Sequence, residues 1–268
     1  MALVTGGGTN LGKAATTELV RCGAAVVIAG RRAEVLEGTA AEVGESCSFV
    51  AGDIRDRAGA DAIVTAVLER HGRLDFLLNN AGGQYFVPAE GITVKGWQAV
   101  HRLNVGGTLA MCEAGYELAM RSGGGAIVNV TVSPHHGMPA MAHTGAARAA
   151  VEALTKELAA QWAADGVAVS AIALGRLATE SLRKYPAELW RRAADSVPLQ
   201  RLGEVEEYGW LVALLATPPG RSLAGSVVTL DGGLDNWTGP WPPPDLVRDG
   251  DVPTEERRPA APAPPVVE

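Results

Sequence analysis

The chain has 268 residues, 47% hydrophobic and 20% charged, with a formal net charge of −7. That length suits one large α/β domain or two small ones, and the acidic balance argues against a nucleic-acid partner. No apolar run approaches the roughly 18 residues of a membrane helix, and the opening Met-Ala-Leu-Val-Thr-Gly-Gly-Gly has no basic segment or cleavage site of a secretory leader, so a cytoplasmic location is expected.

Short β-branched runs alternate with longer amphipathic stretches, the rhythm of βαβ units. Strands are expected at Ala2–Thr5, Ala25–Ala29, Cys47–Ala51, Leu74–Asn79, Ala126–Thr131, Val167–Ile172 and Ser226–Leu230. They are almost wholly apolar, as strands covered on both faces should be. Helices are expected at Lys13–Arg21, Ala33–Val43, Ala60–Arg70, Gly96–Arg121, Ala146–Ala164 and Val205–Ala216, where apolar residues recur at helical spacing. The pattern predicts an α/β fold with a doubly wound, parallel seven-stranded sheet, the Rossmann fold, in a single domain over residues 1–236. From Trp237 the chain turns to proline and charge, so 237–268 reads as a largely disordered tail. Trp237 and Trp241 could fold its start back over a pocket or a neighbouring subunit. Cys22, Cys47 and Cys112 lie far apart without C-x-x-C spacing and read as small buried hydrophobes in a reducing compartment. No metal site is expected.

The first strand runs into Thr5-Gly6-Gly7-Gly8-Thr9-Asn10-Leu11-Gly12 and then a helix. Glycines let a backbone approach a pyrophosphate, and a helix N-terminus offers amide donors and a positive dipole end. At Asn10 a residue that tolerates left-handed geometry takes a glycine's place. An acidic residue at the tip of the second strand would bind a ribose 2′-hydroxyl and repel a 2′-phosphate. Here Gly30 is followed by Arg31 and Arg32, two guanidinium groups suited to a dianionic phosphate, so the expected cofactor is NADP(H).

The spacing T-G-x-x-x-G-x-G resembles the short-chain dehydrogenase/reductase family, and further motifs follow in that family's order. Asp53 and Ile54 end the third strand, where the resemblance implies an adenine site. Asn79-Asn80-Ala81-Gly82 matches the N-N-A-G signature, Asn104 the helix asparagine of the catalytic tetrad, and Leu230-Asp231-Gly232-Gly233 the closing D-G-G. The resemblance covers about Ala2 to Gly233. It implies cofactor contacts at Thr5, Gly6, Gly8, Thr9, Asn10, Leu11, Gly12, Arg31, Arg32, Asp53, Ile54, Asn80, Ala81, Gly82 and Arg148, with Gly175, Leu177 and Thr179 near the nicotinamide.

The family's Tyr-x-x-x-Lys pair falls on Thr144 and Arg148, and its serine near Thr131 or Ser133. A phenol has a pKa of about 10, lowered by a nearby ammonium, and so can protonate an alkoxide. Threonine is far too weak an acid, and arginine does not release protons at ordinary pH. Losing a positioned acid costs ~10²–10⁴-fold, so ordinary ketone reduction should suffer. Hydride addition to a double bond conjugated to a thioester is less demanding: charge develops on the thioester oxygen, and hydrogen-bond donors suffice. Candidate donors are Asn104, Thr131, Ser133, Thr144 and a histidine among His135, His136 and His143, with His143 preferred because it adjoins the tyrosine position.

Asn80–Glu90, Lys95-Gly96-Trp97 and His143–Ala149 resemble peroxisomal-type trans-2-enoyl-CoA reductases and the related 2,4-dienoyl-CoA reductases. The dienoyl group's upstream tyrosine falls near Ser133, and this chain has none there. The resemblance implies an NADPH-dependent enoyl reductase acting on a CoA or carrier-protein thioester, and a homotetramer packed through the Gly96–Arg121 and Ala146–Ala164 helices. Other readings are an atypical dehydrogenase of ketones or alcohols, and a non-redox or catalytically silent NADP(H)-binding member of a biosynthetic pathway. Residues Glu180–Leu202 read as a substrate lid, with Leu182, Tyr185, Leu189 and Trp190 as an apolar wall. Arg183, Lys184, Arg191 and Arg192 are either phosphate contacts or a solvated helix face.

Overall fold

In the computed structural model the apolar runs form seven strands: β1 (Ala2–Thr5), β2 (Val26–Gly30), β3 (Cys47–Ala51), β4 (Phe76–Asn79), β5 (Gly125–Val132), β6 (Val167–Leu174) and β7 (Val227–Leu230). The described residues are 1–133, 135–138, 140–183 and 187–236, without the side chains of 181, 183, 187 and 189–191. The tail from Trp237, and Lys184 and Tyr185 of the expected lid, lie outside them, as do the side chains of Arg183, Leu189, Trp190 and Arg191.

All pairings are parallel, in the order β3-β2-β1-β4-β5-β6-β7. The chain works outward from β1 to β3, then returns to β4 on the other side of β1. This reversal opens a crevice at the carboxyl ends of β1 and β4. Alternation along the strands divides the core. Leu3, Leu77 and Ile127 face α3 (Arg57–His71), α5 (Thr108–Gly115) and α6 (Ala142–Trp162). Val4, Leu78 and Val128 face α1 (Asn10–Arg21), α2 (Ala33–Val43) and α9 (Val205–Leu215). Full burial of such side chains stabilises the sheet by about 1.5–3 kcal/mol each.

Helix starts depart from the sequence pattern for identifiable reasons. α1 begins at Asn10 rather than Lys13, because Gly12 belongs to its first turn; a Cβ there would lie 2.1 Å from the Gly6 carbonyl oxygen. α3 begins at Arg57 because the Asp56 carboxylate caps it, accepting the Gly59 N–H at 3.0 Å. α6 begins at Ala142, so His143 and Thr144 are helical. The long helix expected from Gly96 is one helical run in which α4 (Val94–His101) and α5 are separated by a wider π turn over Arg102–Gly107. Such widened turns gather at functional sites, and this one carries Asn104. Cys47 and Cys112 are buried, which pushes their thiols up to about 11 and about 12, so both stay protonated. Cys22 is exposed, contrary to the expectation of burial, because it follows the last turn of α1 at the surface.

Candidate active site

A cleft of about 1240 Å³ runs along the carboxyl edge of the sheet. At one end lie Gly6, Gly8, Thr9, Asn10, Leu11 and Gly12. Asn10 is left-handed at φ +46°, as a residue standing in for glycine must be. Thr9 caps α1 with no side-chain bond and the first turn holds no acidic residue, so the helix presents amides and a positive dipole end without an internal anion. Arg31 and Arg32 are exposed on the same cleft. Asp53 and Ile54 also line it, and the Asp53 carboxylate is held below its usual range chiefly by hydrogen bonds from Arg55, against the opposing pull of burial. A glycine turn, an uncapped helix start and two arginines fit a dinucleotide with an added phosphate.

Two expected cofactor residues work behind this surface. Thr5 is fully buried: its hydroxyl accepts the Ala81 N–H at 3.0 Å and donates to the Leu78 carbonyl at 3.3 Å. The Asn80 amide donates to the Thr5 carbonyl at 3.0 Å and the Gly6 carbonyl at 3.3 Å, while its oxygen accepts from buried Tyr208 at 3.2 Å. Both side chains brace the glycine turn. Tyr208 in α9 carries no sequence signal for this role.

Midway along the cleft, Gly82 passes between Arg148 and Asn104. A Cβ there would lie 2.4 Å from a guanidinium nitrogen of Arg148 and 2.8 Å from the Asn104 Oδ1. The Asn104 amide donates to the carbonyls of Gly83 and Val100, both at 2.8 Å, and its oxygen accepts the Gly83 N–H at 3.2 Å. Asn104 is thus committed to the loop rather than aimed at a ligand. Arg148 lines the cleft and donates to the Val130 carbonyl at 2.6 Å; burial lowers its pKa to about 10.

The far end holds a hydrogen-bonded chain of side chains. Thr131 donates to Glu152 at 2.8 Å, and Ser133 donates to Asp231 at 2.5 Å. Both residues line the cleft. Glu152 leads on to His135 directly, and Asp231 only by way of Asp235. The His135 Nε2 lies 2.9 Å from the same Glu152 oxygen, its Nδ1 contacts Asp235, and its N–H donates to Asp235 at 2.6 Å. Asp235 in turn donates its main-chain N–H to Asp231 at 2.7 Å. Burial alone would lower the His135 pKa, but hydrogen bonds and charge from Asp235 and Glu152 prevail and raise it. Glu152 and Asp235 were not anticipated. Glu152 stands one turn beyond Arg148 in an otherwise apolar stretch of α6, a position that helical spacing alone can flag.

His143 and Thr144 are fully buried behind the lining. Among the described residues neither ring nitrogen of His143 nor the Thr144 hydroxyl has a hydrogen-bond partner, and the His143 ring packs 4.3 Å from that of Tyr85. Beyond β6, Gly175, Leu177, Thr179, Leu182 and Arg192 close the cleft. The Glu180 N–H donates to the Asn10 Oδ1 at 3.2 Å, joining the glycine turn to the start of α7 (Glu180–Arg183).

Residues 7–235 match the family model described as "Enoyl-(Acyl carrier protein) reductase". The chain is 30% identical to the peroxisomal 2,4-dienoyl-CoA reductase of Arabidopsis thaliana, over 87% of this chain and 84% of that one. It is 33% identical to a probable 2,4-dienoyl-CoA reductase of Bacillus subtilis, covering 90% and 97%. Among solved structures, a short chain dehydrogenase from Bacillus anthracis superposes with a TM-score of 0.82 at 32% identity, covering 89% and 97%.

Proposed function

The chain belongs to the short-chain dehydrogenase/reductase family, and we propose that it reduces a carbon–carbon double bond conjugated to a thioester, with NADPH as the hydride source. The observation that carries this reading is the pair on α6. Where a carbonyl reductase places a phenol and an ammonium, this chain has Thr144 and a buried Arg148. That pair leaves a fixed cation on the cleft and no side-chain acid near neutral pH, since the Thr144 hydroxyl is buried behind the lining. An enolate oxygen requires donors and positive charge rather than a proton, so the loss is tolerated there and not at an alkoxide.

The chain's own residues have separable tasks in this reading. The first turn of α1 holds the pyrophosphate, and Arg31 and Arg32 take the 2′-phosphate. Arg148 grips the nicotinamide ribose and adds positive charge beside the substrate. Thr131 and Ser133 are the hydroxyls that line the cleft beside the developing oxyanion, Thr144 lies buried behind them, and Asn104 fixes the loop through Gly83. Arg192 at the cleft margin meets the phosphates of a CoA or carrier-protein arm. A homotetramer packed through the helical stretches Gly96–Arg121 and Ala146–Ala164, in the cytoplasm, completes the proposal.

The test is NADPH consumption with trans-2-enoyl and 2,4-dienoyl thioesters, with matched 3-keto thioesters beside them. Oxidation with the unsaturated sets alone is expected. Oxidation with the keto set alone would overturn the reading and point to another acid in place of the tyrosine.

A further inference from the structure

Of the two hydroxyls of the cleft wall, Thr131 ends on a carboxylate, Glu152, that itself reaches a histidine near the surface, His135. His135 has 34% of its side chain exposed, Glu152 14%, and Thr131 none, so the bonded series runs from solvent to the interior. Its links are short and sequential: Thr131 and the His135 ring bind the same oxygen of Glu152, at 2.8 and 2.9 Å. We propose that His135 and Glu152 relay protons from solvent to the Thr131 hydroxyl, which delivers one to the substrate carbon that becomes the α-carbon of the saturated thioester. This rests on the reductase reading above.

The balance of the step is complete. A hydride from the reduced nicotinamide forms a C–H bond at the β-carbon, and the double-bond electron pair moves toward the thioester oxygen as an enolate. That pair then forms a C–H bond at the α-carbon as the Thr131 O–H breaks. Thr131 takes a proton from Glu152 in the same motion, so no free alkoxide forms. Glu152 takes one from His135, and His135 takes one from water. A hydroxyl too weak to act as an acid alone can serve as a link, because it gains a proton as it loses one.

The groups facing His135 favour a proton on its ring. Asp235 lies against Nδ1, Glu152 against Nε2, and the His136 ring is 3.4 Å from the other Asp235 oxygen. Asp231 is linked only through the Asp235 N–H. Two carboxylates around one imidazole favour its protonated form, which holds a proton beside Glu152. His135 and Glu152 act through Thr131, as positioning and relay groups.

The experiment uses the full chain with a trans-2-enoyl thioester and NADPH in D2O, comparing wild type with Glu152→Gln and His135→Gln. The wild type is expected to place deuterium on one face of the α-carbon. Both variants are expected to lose about tenfold or more in saturating turnover with KM kept, within the range for positioned proton transfer, and to label both faces. Added imidazole should restore turnover to His135→Gln but not to Glu152→Gln, and the alkaline limb of the wild-type pH profile should vanish in both. Variants that keep wild-type turnover and single-face labelling would overturn the relay while leaving the reductase reading intact. A wild type that leaves NADPH unoxidised with every unsaturated thioester would instead overturn the reductase reading, and the relay with it. Because His135 sits near the surface, its variant should fold even if Glu152→Gln does not.

Discussion

Arg148 in α6 donates to the Val130 carbonyl in β5 at 2.6 Å, so a buried cation is pinned where the sheet meets the helix that carries the active-site residues. Burial lowers its pKa to about 10, which leaves it charged at neutral pH. Replacing it with methionine removes both the charge beside Gly82 and the donor to Val130. NADPH binding, followed by quenching of protein fluorescence, is expected to weaken about tenfold or more, and urea stability to fall by about 1–3 kcal/mol from the orphaned carbonyl. Arg148→Lys should recover most of the stability, since an ammonium can still reach a carbonyl. Unchanged NADPH affinity in Arg148→Met would remove Arg148 from the cofactor site.

Gly82 tests the geometry between the same elements. A methyl group there meets the Arg148 guanidinium at 2.4 Å and Asn104 at 2.8 Å, closer than real contacts allow. The guanidinium is the movable partner, so Gly82→Ala is expected to fold but to displace Arg148 from the cleft wall. The expected signature is a loss of turnover exceeding the loss of stability, measured by steady-state kinetics beside urea unfolding. A variant with wild-type kinetics would show that the Arg148 position is unimportant.

The sheet and the glycine turn at its edge were legible in the sequence because their signals are local. A buried strand needs a continuous apolar run, as in Val26–Gly30, and a tight turn from strand to helix needs glycines within one βα unit, as in Gly6–Gly12. The widened turn at Asn104 was not legible, since its sequence reads as ordinary helix. Nor was the placement of His143, where adjacency to the tyrosine position suggested the cleft and helical phase instead carried the ring behind it. The series from Thr131 to His135 joins residues up to 100 positions apart, as in the bond from His135 to Asp235. Only the assembled fold brings such groups together.

The proposed preference for NADPH rests on Arg31 together with Arg32. Arg31 is exposed at the end of β2, on the cleft, with Asp53 near enough to feel its charge. Arg31→Asp replaces attraction for a 2′-phosphate with repulsion. The ratio of NADPH to NADH affinity is expected to fall about tenfold or more, since a hydrogen bond to a charged group is worth about 1.5–3 kcal/mol. Titration with both cofactors measures it. An unchanged ratio would leave phosphate recognition to Arg32 or abolish the preference for NADPH.

Two histidines pull the stability of the protein in opposite directions as pH changes. His143 is buried without a hydrogen bond among the described residues, and burial, helped by the charge of His101, lowers its pKa. The unfolded chain then binds the extra proton first, so the contribution of neutral His143 is present above the ordinary imidazole value of about 6.5 and is lost as pH falls below it. His135 is the reverse case, because Asp235 and Glu152 outweigh its burial and raise its pKa. Its contribution is full below about 6.5 and is lost as pH rises through the raised value. Urea unfolding midpoints measured from about pH 5 to 9 stay above the range where carboxylates titrate and span the range of both imidazoles, and the two variants isolate each histidine's share of the curve. The wild-type curve is expected to peak near neutrality and decline on both sides. His143→Leu should flatten the acid side alone and His135→Gln the alkaline side alone. If His143→Leu leaves the acid decline in place, the buried imidazole is hydrogen-bonded and charged in solution, and it becomes a candidate acid for the reaction after all.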